Sequence, residues 1–225
     1  MNNSQYFINS KIKLIHSVTK TIFLISSLFI ISSCSSAQIE HKSTAQVINS
    51  SEITEDNLEG KAKKLIALYD GKNCREFFNA FPNNFEEFYQ LYGFDDEKGA
   101  YILYSETDHI DYFFECSEVS DREKLKKSID IGIEGKWDAD TTWMFQEASF
   151  KLVEKYPTES KKILDILSDE KAASFWYFLF DGPHPTDKAS VKKFDSLKDR
   201  LGKDSKQAKL LSEQFQKLEI DWKNH

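Results

Sequence analysis

Residues 168–185 read SDEKAASFWYFLFDGPHP. Ser168 suits a helix N-cap, because its hydroxyl can accept from the free N–H groups of a first turn. The run FWYFLF at 175–180 is apolar on every side of a helical wheel. A helix that is hydrophobic all round is buried all round, so residues 170–180 predict the central helix of a core. Asp181, Gly182, Pro183, His184 and Pro185 break it sharply.

Working outward, residues 186–201 place Val191, Phe194, Leu197 and Leu201 at helical spacing, and Gly202 suits a C-cap. Asp204 with Gln207 opens a last helix in which Ala208, Leu211, Phe215, Leu218 and Trp222 recur three and four apart. Two helices joined by so short a turn predict an antiparallel hairpin. Upstream, 55–69 carries Leu58, Ala62, Leu65, Ile66 and Tyr69 on one face. A short helix follows at 74–81, broken by Pro82. Asn83 and Glu86 match a capping box before Phe85, Phe88, Tyr89 and Tyr92, and Gly93 stops that helix. Residues 94–104 read as a loop, and 106–116 as a helix with Ile110, Phe113 and Phe114 inward. Asp121 is placed to cap 122–133, which Gly132 and Gly135 end. Asp140 is placed to cap a longer helix bearing Met144, Phe145, Ala148, Leu152 and Tyr156, stopped by Pro157. A short helix fills 158–167. Neither a sustained β-period nor an internal repeat of fixed length occurs. The expectation is an all-α fold: a single globular bundle of about eight to ten short helices with a C-terminal helical hairpin.

The N-terminus has another character. Residues 21–34 read TIFLISSLFIISSC, eleven residues from Thr21 to Ile31 that are apolar apart from Thr21 and two serines, followed by Ser32, Ser33 and Cys34. Lys11, Lys13 and Lys20 precede it, and no acid appears before Glu40. Such a layout is that of a secretory signal. A helix of that length is too short for a hydrocarbon core about 30 Å thick. Ile31, Ser32, Ser33 and Cys34 resemble the lipobox of bacterial lipoproteins. The resemblance implies that Cys34 becomes the mature N-terminus and carries the lipid, and two acyl chains suffice for stable anchoring. A second resemblance lies mid-chain. Cys74, Phe77, Phe78, Asn79, Ala80, Phe81 and Pro82, followed by Phe85, Phe88, Leu91, Tyr92, Gly93 and Phe94, resemble a segment of small helical lipoproteins of bacteria. That group offers no catalytic residue to carry over. The expected organisation is a signal peptide over 1–33, a lipid-anchored flexible tether over 34–54, and a helical domain over 55–225.

Removing 1–33 takes away three lysines and no acids, leaving 27 basic against 37 acidic residues, a net charge of −10. Such a chain argues against nucleic acid, whose phosphates want a basic surface. The lipid must then hold the membrane without a basic patch. Beyond Cys34 remain Cys74 and Cys116. A disulfide between them would close a loop of about 42 residues and stabilise by roughly 2–4 kcal/mol. Two reduced, buried thiols are the marginally preferred alternative.

Catalytic signals are few. His109 and His184 are the only histidines of the expected domain before its last residue. His109 lies seven residues from Cys116, about 10 Å along a helix and too far for a hydrogen bond. Asp138, Asp140 and Thr142 begin like a calcium loop, but Trp143 and Ser149 stand where glycine and glutamate are needed. No catalytic residue, metal ligand or cofactor is assigned. Asp108, Asp111, Glu115 and Glu118 form an acidic stripe, with Asp95, Asp96 and Glu97 nearby in sequence. A solvated face explains it; its functional reading is a dock for a basic partner protein. The favoured function is therefore a non-catalytic, lipid-anchored protein-binding module of the cell envelope, of the immunity or accessory kind. The alternatives are an envelope hydrolase using a carboxylate pair, and a small-ligand binder with a void lined by Phe81, Phe85 and Trp176.

Overall fold

In a computed structural model the described residues are 55–224, apart from 183. The expected signal peptide, Cys34 and the expected tether lie outside them. The described chain forms α1 (Glu55–Asp70), α2 (Cys74–Ala80), α3 (Phe85–Tyr92), β1 (Phe94–Asp95), β2 (Gly99–Ala100), α4 (Asp108–Glu115), α5 (Asp121–Gly132), α6 (Thr141–Lys155), α7 (Pro157–Asp165), α8 (Asp169–Phe180), α9 (Lys188–Leu201) and α10 (Lys206–Lys223). It is an all-α fold of ten helices, with one minimal hairpin inside the expected 94–104 loop. Phe94 pairs with Ala100 and Asp95 with Gly99, whose φ of 85° needs glycine.

Two apolar clusters meet at α8. Phe175, Trp176, Leu179 and Phe180 enter a core built with α5, α6, α7, α9 and α10. Phe178, on the opposite side, enters a second core built from α1 to α4, together with Ile131 of α5 and Phe145 of α6. The all-round apolar character of α8 follows from this double role. α10 folds back on α9 as expected, but packs most extensively on α8. The inward Trp176 of α8 donates to Gln207 Oε1 at 2.9 Å, and Gln207 donates to Asp165 at 2.9 Å.

Several caps shift by one residue for a tertiary reason. Asn84, not Asn83, caps α3 by accepting from the Glu87 N–H at 2.9 Å, and Glu87 also pairs with Lys61 of α1. Ser120, not Asp121, closes the capping box with Glu123. The Asp121 carboxylate is taken by Lys155 at 3.1 Å and by the Tyr156 hydroxyl. Ser205 replaces Asp204, because the predicted box partner Gln207 is buried against Trp176. Asp187 caps α9, one residue after the expected start of that helix at 186. Asp140 occupies the N-cap position of α6 without capping; it accepts from the Tyr104 hydroxyl instead. Trp222, expected inward, is exposed and meets the His184 ring at 5.5 Å.

Cys74 and Cys116 are disulfide-bonded, with Cα atoms 5.6 Å apart. Two reduced thiols, the preferred sequence reading, are thereby corrected. The fold puts the N-terminus of α2 beside the C-terminus of α4, which the spacing of 42 residues could not reveal.

Candidate functional site

The hairpin and the 133–138 connection between α5 and α6 face α3 across an open cleft of about 900 Å³. The predicted aromatic stripe of α3 divides between two roles. Phe88 and Tyr92 are fully buried in the core, whereas Phe85 and Tyr89 line the cleft with rings 5.9 Å apart. Gly93 permits this, since a Cβ there would sit 2.5 Å from the Tyr89 ring. The Tyr89 hydroxyl donates to the Phe94 carbonyl, and its ring meets Tyr101 edge-on at 5.9 Å. Phe94, Tyr101 and Trp137 complete an aromatic lining.

The connection is fixed at its C-terminal end. Asp138 accepts from the Phe94 N–H at 3.1 Å. Asp181, at the end of α8, accepts from the Trp137 N–H at 2.9 Å. Gln146 of α6 donates to the Phe178 and Asp181 carbonyls. Glu134 and Asp140 flank the segment with φ of 62° and 58°, a conformation that side chains adopt only when their surroundings enforce it.

Five carboxylates line the cleft: Glu86, Asp96, Asp130, Glu134 and Asp138. Two ammonium groups, Lys136 and Lys171, oppose them, for a net charge of −3. Burial, then Asp138, and further Asp95 and Asp96, raise the pKa of the Tyr89 hydroxyl. The Gln90 Oε1 and the Trp137 Nε1 are buried and lack a hydrogen-bond partner among the described residues. A smaller cavity of about 230 Å³ lies beyond Trp137, between it, Trp143 and His184.

The acidic stripe is placed elsewhere. Asp108, Asp111 and Glu115 are exposed on α4, and Glu118 lies past that helix's end, also exposed. None of the four lines the cleft, although Asp96 does. Phe81, Phe85 and Trp176 do not enclose a void: Phe81 and Trp176 are fully buried in separate cores, and only Phe85 reaches the cleft. His109 is buried, with Nδ1 3.0 Å from the Tyr92 hydroxyl, and burial lowers its pKa to about 4. It is neutral in the fold. The Asp181 pKa is raised, first by burial, while the Trp137 and Gly182 N–H groups oppose the rise. Those bonds give Asp181 a positioning role in holding the connection. Among the described residues no group of three His, Cys, Asp or Glu side chains gathers around a metal position, and no helix is long and apolar enough to cross a membrane.

Trp137, Tyr101 and Gln90 escape a reading based on periodicity, because two stand in loops and one is polar on a helix surface. The signal that could have found Trp137 is its isolation: a large apolar residue between Lys136 and Asp138, in phase with neither neighbouring helix. The chain matches no protein-family model, no curated protein and no solved structure.

Proposed function

We propose that this chain is a non-catalytic binding module, held at a bacterial envelope membrane by lipid on Cys34, whose partner protein docks in the aromatic, acidic cleft. The observation that carries the reading is the cleft itself. Aromatic side chains supply large, rigid contact area at low entropic cost, and the carboxylates among them supply direction. The histidines add support. One is buried and neutral against Tyr92, and the other packs on an exposed tryptophan, so neither lines the cleft. The lipid supports the same picture by confining the module to a surface, which raises the effective concentration of any partner there.

Photo-crosslinking tests the reading in the full chain and its native envelope. A crosslinking residue at Tyr101, in the cleft, gives a discrete protein adduct. The same residue at Ile166, which is 81% exposed and lies outside the cleft, does not. Identical adducts at both positions, or none at either, remove the reading. Intact mass of the mature protein separately reports the acyl chains expected on Cys34.

A further inference from the structure

We propose that the cleft takes an extended peptide segment of the partner carrying lysine or arginine side chains. This deepens the binding-module reading and rests on it. Given a protein partner, two features of the cleft select that ligand together. Its net charge of −3 favours a cation over a neutral or acidic ligand. Phe85, Tyr89, Phe94, Tyr101 and Trp137 line it, and aromatic rings attract an ammonium or guanidinium group through the cation–π interaction. The Trp137 Nε1 and the Gln90 Oε1 are sealed from solvent, so a ligand in the cleft does not reach them. A neutral sugar makes no use of the charge, and an acidic peptide opposes it. The carboxylates are also free to act: Glu86, Asp96 and Glu134 are exposed and form no ion pair among the described residues.

Fluorescence anisotropy on the full chain in detergent tests this, with a labelled octapeptide alternating arginine and glycine. Competing probes are its glutamate counterpart, spermine, and an N-acetylglucosamine oligomer. The arginine peptide binds saturably, and the three competitors displace it at least tenfold less well than unlabelled peptide. Glu86→Gln/Asp96→Asn/Glu134→Gln weakens binding at least tenfold. Asp108→Asn/Asp111→Asn/Glu115→Gln removes the same charge from the α4 stripe and changes affinity less than twofold. Equal losses from both triple variants would reduce the effect to general charge attraction and overturn the proposal. So would spermine or the sugar binding as tightly as the peptide. Failure of the peptide beside a discrete adduct at 101 would sink the basic-peptide assignment alone. Failure of every probe together with no adduct would sink the binding-module reading as well.

Discussion

Gly132 and Gly135 read in sequence as helix terminators, yet packing explains them better. A Cβ on Gly132 would lie 2.8 Å from the rings of Phe175 and Phe178, and one on Gly135 would lie 2.6 Å from Phe178. Both rings are fully buried and cannot swing away. Gly135→Ala should therefore destabilise by roughly 1–3 kcal/mol, as overpacked cores do, which is several degrees of Tm for a domain of this size. Gly60 gives the contrast. It lies inside α1, and a Cβ there would meet nothing within 4 Å, so Gly60→Ala should raise Tm through helix propensity, by up to about 1 kcal/mol. His109 sets a pH dependence. Its pKa falls from the ordinary 6.5 to about 4 in the fold, so between those values the unfolded chain binds a proton that the folded chain refuses. Stability then rises with pH across this window, by roughly 3 kcal/mol in total, and the contribution is lost as pH falls through it. Urea unfolding at pH 4.5 and 7.5 should show that difference, and His109→Phe should shrink it. Glu123, held near a pKa of about 2 first by Arg75, stays ionised in the fold at both pH values.

At the scale of the element, the Cys74–Cys116 bond ties α2 to the end of α4, and Arg75 reinforces it by reaching Glu123 at 2.6 Å and the Glu118 carbonyl. Both cysteines belong to the core of α1–α4. Reduction should lower stability by roughly 2–4 kcal/mol. Amide exchange should rise in α2 and α4 first, while α8 and α10, packed in the other core, keep their protection. Uniform loss across all helices would refute this local account. The caps carry a lesson at the same scale. Asn83 and Asn84, or Asp204 and Ser205, are chemically equivalent candidates one residue apart. Local sequence names the pair; Lys61 and Trp176, distant in the chain, select the member.

Across the whole molecule, α5, α6 and α8 are shared walls between two cores. Phe178, Phe145 and Ile131 cross from the C-terminal helices into the N-terminal cluster. Phe178→Ala should cost about 3–5 kcal/mol and also loosen the coupling between halves, so that the calorimetric and van't Hoff enthalpies diverge. Trp176→Ala, confined to one core, should lower Tm while keeping one transition. A single sharp transition in both variants would show that coupling does not run through Phe178. Under the proposed lipid anchoring, Cys34→Ala should move the chain from the membrane to the soluble fraction, because a chain with 37 acidic and 30 basic residues has little else to hold it on an anionic surface.

Helix periodicity, capping residues and the run at 175–180 determined the all-α class, the short-helix arrangement and the central place of α8, since each depends on contacts within a few turns. Only the tertiary structure decided the disulfide, the division into two cores and the cleft. Its walls come from residues 83 to 171, and what gathers them is the packing of α3 against α5 and α6 with the anchoring of Trp137 by Asp181. Such proximity arises from long-range burial, and burial leaves no periodic mark on the residues that face outward.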